Sequence, residues 1–264
     1  MRSVSSTLLI LACAFTGFAS EIRQFSVPTL ERLGNELSHR DEISARAEDA
    51  VLAEHPEFKS VTPQWWISDP HKDGDIVYLI DARGSEPTLA YKVIFGREKA
   101  PTITDMRGQP LPPQIALRYK ALQTGIKAVS GKLFTPLTNF EVLNDPDKSG
   151  FVVYALAVSD DRNEILTGGH YRITVSADGS IAERVDLLSQ LIRSKPDSGH
   201  EAVGIGASQL SSDVPVETWL YSSYLYHMPM AVATRNGSTW MIANGKIHKF
   251  TKAEVDAMQK EKRK

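Results

Sequence analysis

Two short acidic loops carry the residue types best suited to holding a metal ion. Ser68-Asp69-Pro70-His71-Lys72-Asp73-Gly74 places Asp69, His71, Asp73 and then Asp75 at alternate positions. Asn144-Asp145-Pro146-Asp147-Lys148-Ser149-Gly150 repeats the pattern at an offset of 76 residues, with Asp145, Asp147 and Ser149 in the corresponding places. The second loop imitates the opening of a calcium-binding EF-hand loop. Its twelfth position, counted from Asp145, is Leu156, where that loop needs a bidentate Glu. An Asp-Pro turn closed by a glycine at positive φ accounts for both loops without a ligand. No metal and no other cofactor is expected.

Other catalytic constellations are missing from the chain. The histidines are His39, His55, His71, His170, His200, His227 and His248, and none pairs with another at a metal-binding spacing. There is no His-Glu-x-x-His, no Gly-x-Ser-x-Gly elbow and no phosphate-binding Walker loop. Gly204-Ile205-Gly206 lacks the third glycine and the preceding strand of a dinucleotide site. The remaining candidate is aromatic. Trp219, Tyr221, Tyr224, Tyr226 and Trp240 fall close together, beside His227 and Arg235. Aromatic rings with a polar handle suit an interface or a sugar platform. The same rings could fill a core beneath a hairpin. The candidate binding residues are therefore Trp219, Tyr221, Tyr224, Tyr226, Arg235 and Trp240. Trp65-Trp66 poses the same question, because adjacent strand residues point to opposite faces.

Charge excludes one class of partner. The chain has 30 basic against 32 acidic residues, and only its last five residues form a basic run. Nucleic acid demands a concentrated basic face, so it is not an expected partner. Cys13 is the only cysteine, which removes disulfides and cysteine zinc sites as supports of the mature chain.

Residues 1–19 read as a secretory signal. Arg2 supplies the positive start, Leu8 to Phe15 the apolar run, and Gly17-Phe18-Ala19 the small-x-small pattern before a cut after Ala19 or Ser20. The apolar run falls short of the roughly 20 residues that span a bilayer, so no transmembrane segment is expected. Ile10-Leu11-Ala12-Cys13 also resembles a lipoprotein box, with Cys13 as the lipidated residue, although Leu11 fits its position poorly. Ordinary cleavage and a periplasmic destination are the expectation.

The order of elements is written twice. A helix is predicted over 40–55, with Asp41 as N-cap, Ala47, Val51 and Leu52 near one face, and Pro56 as its stop. Leu30 and Leu33 suggest an earlier helical turn broken near Gly34. Strands follow over 61–67, 76–81, 89–95 and 103–105. A second helix, over 114–129, precedes strands over 140–143, 151–158, 171–176 and 181–187. Loops this short leave no room for crossover helices, so antiparallel sheets are expected. Residues 193–213 read as a linker or long loop. Beyond them, Met230 to Thr234 and Thr239 to Ile242 flank Asn236-Gly237 as a hairpin, and Thr251 with Glu254 forms a capping box. The fold class is α+β. It consists of two tandem helix-plus-antiparallel-sheet units, 20–110 and 111–192, then the 193–213 linker, then an aromatic β-hairpin unit with a short C-terminal helix over 214–264.

His170-Tyr171-Arg172-Ile173-Thr174-Val175-Ser176-Ala177-Asp178-Gly179-Ser180-Ile181, and more weakly Ala90-Tyr91-Lys92-Val93-Ile94-Phe95, carry a resemblance to the PepSY and cystatin-like group. It covers residues 40–108 and 112–190. The resemblance implies small exported modules that bind or inhibit other proteins, often proteases.

Export, the missing catalytic motifs, tandem small units and an aromatic end together favour a non-enzymatic, protein-binding module. Its concrete form is an inhibitor or immunity-type protein that occludes an envelope hydrolase or toxin. Two other functions stay open. One is an envelope hydrolase or carbohydrate-handling enzyme with Asp69, His71 and Asp73 at the edge of its site. The other is a structural component of an envelope assembly.

Overall fold

The computed structural model describes residues 21–60, 64–71, 74–96, 100–161, 163–195 and 204–254. Residues 1–20, with the predicted signal and Cys13, and Asp73 lie outside them.

Helix α1 (Val27–Glu54) is longer than its periodicity suggests. Its cap is Ser26, whose hydroxyl accepts the Thr29 N–H at 3.3 Å, with Pro28 in the first turn. Asp41 is not a cap but a mid-helix residue whose carboxylate accepts from Asn139 and Tyr221. Gly34 does not break the helix. A Cβ there would sit 2.6 Å from Leu220 Cβ and 2.7 Å from the Glu217 carbonyl oxygen. The missing side chain is what lets another helix cross α1 at this point.

A short 3₁₀ turn, Pro56–Ser60, leads to the first sheet. Its strands β1 (Gln64–Asp69), β2 (Asp75–Asp81), β3 (Thr88–Phe95) and β4 (Thr102–Pro110) form an antiparallel meander. Ile43, Ala47 and Val51 of α1 pack on its Val77, Leu79 and Val93 face. Trp66 joins that side, whereas Trp65 meets Phe140 edge-on at 6.3 Å within the other core, so the two indoles do part to opposite faces.

Helix α2 (Pro113–Val129) opens on a proline and covers the second sheet, β5 (Thr138–Asn144), β6 (Phe151–Ala157), then β8 (Tyr171–Val175) and β9 (Ala182–Leu187). Between β6 and β8 lies β7 (Ile165–Thr167), which pairs with β10 (Ile192–Ser194) in a two-stranded ribbon. The equivalent faces of the two repeats carry their own helices: Val77 and Leu79 lie under α1, and Val153 and Ala155 under α2.

The C-terminal unit is richer than a hairpin. The stretch 193–213 contains β11 (Ile205–Gln209), and residues 218–225 form helix α3 (Thr218–Leu225). The expected hairpin is present as β12 (Met230–Thr234) and β13 (Thr239–Ala243), followed by β14 (Lys246–Lys249). β11 lies parallel to β12, and α3 is the crossover that a parallel pair requires. The stretch reads as loop because its polar residues do structural work in the core. Gln209 Nε2 donates to the Leu188 carbonyl at 2.6 Å, and its Oε1 accepts from Trp219 Nε1 at 2.7 Å. Asn244 and Gly245, at φ 51° and 74°, make the tight turn between β13 and β14. The Thr251–Glu254 capping box forms in both directions.

The α+β class is what the structure has, with three four-stranded sheets and a two-stranded ribbon among the described residues. The first half of α1 packs with α3, the third sheet and the second face of the second sheet, including Leu33, Leu37, Tyr154, Leu156, Trp219, Leu220 and Val232. Gly34→Ala should lower stability by roughly 1–3 kcal/mol through overpacking, against a helix-propensity gain of about 1 kcal/mol. Gly96→Ala, which meets nothing within 4 Å, should be near neutral. Urea melts of both variants check this, and equal midpoints would remove Gly34 as the contact point.

Candidate functional site

Strand register aligns four polar residues in one row across the second sheet. Glu141 faces Tyr154, Tyr154 faces Arg172, and Arg172 faces Asp186. All four are buried. The row lies beneath α1, α3 and the segment 21–26, so it forms the floor of a dry interface.

Arg172 is its centre. Nη1 donates to both Glu217 carboxylate oxygens, at 2.8 and 3.1 Å, and Nη2 donates to Asp186 Oδ2 at 3.3 Å and to the Arg23 carbonyl. Tyr154 donates its hydroxyl proton to Glu217 Oε1 at 2.7 Å. Burial pushes the Tyr154 phenol well above its ordinary range, and the charge on Glu217 adds to this. The Phe25 ring receives two guanidinium groups, Arg172 at 4.6 Å and Arg23 at 4.7 Å.

Beside the Asp186 end of the row is a depression of about 340 Å³ lined by Arg23, Lys148, Thr174, Glu183 and Arg184. Its cations are matched from within. Arg23 clamps Asp145 with two bonds of 2.6 and 2.7 Å and reaches Asp147 at 2.9 Å. Lys148 pairs with Glu183, and Arg184 Nε with Asp186 at 2.6 Å. Burial works to raise the Asp145 carboxyl, but the Arg23 hydrogen bonds, the Asp147 N–H and the charges of Arg23 and Lys148 together hold the group below its ordinary value. The second acidic loop thus takes an arginine where an ion was a candidate. Asp69 of the first loop does the same, accepting from Arg118 Nη1 at 2.9 Å, and His71 is exposed. Among the described residues, no group of three or more His, Cys, Asp or Glu is placed to hold a metal.

At the other end the row is sealed. Glu141 is 4 % exposed and accepts from Ser68 Oγ at 3.1 Å and Ser44 Oγ at 3.4 Å. Burial lifts its pKa to about 8, against the pull of the Arg40 charge. A perturbed carboxyl is often a catalytic acid; this one is enclosed between Ser44 of α1 and Ser68 of β1. His170 is equally enclosed. Its Nδ1 accepts from the Ala157 N–H at 3.0 Å, and burial lowers its pKa to about 4.

The predicted aromatic site is not an exposed platform. Trp219, Tyr221 and Trp240 are core residues, because α3 is packed on both sides. Tyr221 donates to Asp41 at 3.2 Å, and Trp240 Nε1 donates to Thr234 Oγ1 at 3.1 Å. Tyr226 is half-buried and accepts from the Leu166 N–H at 2.8 Å. Tyr224 is exposed, and Arg235 is occupied by Asp213 at 2.9 Å. The six residues do not come together on one open surface.

An apolar surface lies elsewhere, in the loop between α2 and β5. Leu133, Phe134 and Leu137 are 37, 38 and 48 % exposed, three of the eight large apolar side chains exposed among the described residues. The loop is held from inside. Thr135 is buried and donates to the Leu137 carbonyl at 2.5 Å, and Tyr171 donates to the Lys132 carbonyl at 2.8 Å. The Leu137 carbonyl also accepts from the Val158 N–H at 3.2 Å, and Phe134 stacks on Tyr171 at 6.0 Å. Its sequence signal was available: apolar residues between Gly131 and Pro136, just beyond a helix end.

No protein-family model, curated protein or solved structure matches the chain. The site stands on its geometry.

Two outcomes follow from the buried row. The protonated Glu141 is the form the fold prefers, so its contribution is complete below pH 4.5 and is lost as pH rises through about 8. The slope is at most about 1.4 kcal/mol per pH unit. Glu141→Gln should therefore gain stability relative to wild type as pH rises over that window. Urea midpoints between pH 4.5 and 8.5 test this, and parallel curves would show a carboxylate already ionised in the core. Arg172→Met should cost about 3–5 kcal/mol, because the buried Glu217 loses its countercharge, whereas Asp186 keeps Arg184. Adding Glu217→Gln should recover part of that loss, and strictly additive losses would mean the pair is not coupled.

Proposed function

We propose that this protein is an exported, periplasmic protein-binding module, most concretely an inhibitor or immunity-type protein that occludes a hydrolase or toxin. The observation that carries the proposal is the 133–137 loop. Soluble chains seldom hold several large apolar side chains out to water on one short, internally bonded loop unless another surface covers them. A loop ordered in advance loses little entropy on docking, which favours tight association. The leader-like residues 1–19 support export, and the helix-plus-four-strand units, with their resemblance to the PepSY and cystatin-like group, agree with a binding role. Among the described residues, no helix is long and apolar enough to cross a membrane.

The mature chain, immobilised and exposed to periplasmic extract at low and moderate salt, should retain one protein at fixed stoichiometry. That protein should lose its hydrolytic or toxic activity when the chain is added in solution. Retention of nothing under any of these conditions, or retention of a protein whose activity is unchanged, overturns the inhibitor assignment.

A further inference from the structure

We infer that the α2–β5 loop is the docking element itself, and that its partner is a protein presenting an apolar cleft with an acidic rim. The inference rests on the protein-binding role and specifies its surface and its partner's chemistry. The apolar centre is Leu133, Phe134 and Leu137. Phe134 is the anchor. Its ring is fixed by stacking on Tyr171, so a partner meets a side chain already in place. Aromatic anchors of this kind carry much of the energy of protein interfaces, whereas the surrounding contacts mainly exclude water.

The charge around the loop sets the partner's sign. From Pro113 to Phe140 the sequence contains no Asp and no Glu, but four cations: Arg118, Lys120, Lys127 and Lys132. Elsewhere the chain mixes acids and bases almost evenly, so this stretch is the exception. Arg118 is spent on Asp69, and Lys120 lies 3.9 Å from Asp178. Lys127 and Lys132 are exposed, and neither forms an ion pair among the described residues. Lys132 donates to the Ala128 carbonyl at 3.0 Å, which holds its ammonium at the helix end beside the apolar residues. A rigid apolar projection with two unmatched ammonium groups complements a cleft whose floor is apolar and whose edge carries carboxylates. Rim charges of this kind act mainly on the rate of association and on its salt dependence.

Three variants of the full mature chain test this: Phe134→Asp, Leu137→Asp and the double variant Lys127→Glu, Lys132→Glu. All four positions are exposed, and thermal melts confirm that each variant folds. The probe is the protein that the wild-type chain retains from periplasmic extract. Each apolar variant should weaken its binding by roughly 30-fold or more. The lysine variant should slow association about 10-fold at low salt and flatten the salt dependence. A photo-crosslinker at Leu137 should mark a partner surface flanked by Asp or Glu. Crosslinking to lipid or to a second copy of this chain overturns the inference. So does undiminished binding by the apolar variants, which would leave the protein-binding role intact on another surface. If the wild-type chain retains no protein at all, the role itself fails.

Discussion

A single arginine placed in a core decides much of this architecture. Arg172 sits on a central strand of the second sheet, buried from solvent, and a guanidinium there is tolerable only with its charge paired; Nη1 and Nη2 find partners, whereas Nε has none among the described residues. The four partners come from three separate parts of the chain: Glu217 at the start of α3, Asp186 on β9, and the carbonyl of Arg23 with the ring of Phe25 in the N-terminal segment. Burying the charge therefore requires the N-terminal segment, the second sheet and the C-terminal unit to be assembled together. A hydrophobic residue at that position would allow each contact to form or slip independently. Ile22 and Phe25 are buried because Arg172 and Asp186 hold the segment's backbone in place, with the Arg23 amide donating to Asp186 at 3.1 Å.

Helix α1 is the second constraint, and it works by length. One half lies on the first sheet, and the other lies between the second sheet and α3. Its polar residues face the seams. Arg40 donates to Ser68 of β1, Ser44 to Glu141 of β5, and Asp41 accepts from Asn139 of β5 and Tyr221 of α3. A helix stopping where Asp41 would cap it would cover the first sheet alone and leave the apolar floor around Leu156 and Val232 open. The same seams explain why titratable groups with displaced pKa values occur here. Packing is what displaces them.

The sheets of the two repeats were legible in the sequence because their strands are short runs rich in β-branched and aromatic residues that end at Asp-Pro and Gly turns, which are local signals. The helix over 113–129 was legible for the same reason. Three features were not. β7, β10 and β11 are short, and pairing supplied by distant residues makes them strands. α3 is apolar on all sides, so no periodicity marks its face, and its tryptophan and tyrosines looked like a surface. The row Glu141–Tyr154–Arg172–Asp186 depends on register between strands that are far apart in the chain. Exposure has the same character. Leu133, Phe134 and Leu137 differ from core residues only in what fails to cover them, and sequence does not record that.

The duplicated loop shows how one local geometry can serve different ends. Gly74 and Gly150 adopt nearly the same backbone, at φ 139° and 126°. A Cβ would come within 2.4 Å of the Phe95 carbonyl oxygen in the first loop and 2.5 Å of that of Val175 in the second. Close approach to the neighbouring strand thus dictates glycine in both places. Asp145 also accepts the Asp147 N–H at 2.9 Å within its own loop, and each aspartate is claimed by an arginine from outside its own unit. Arg118, on the helix of the second unit, holds Asp69 of the first, and Arg23, at the start of the first unit, holds Asp145 of the second. The loops that look like paired ion sites are the points where the repeats are tied together. The two units consequently have no reason to behave as independent domains: separating them would strand Asp69 and Asp145 at once and expose the carboxyl of Glu141 between them.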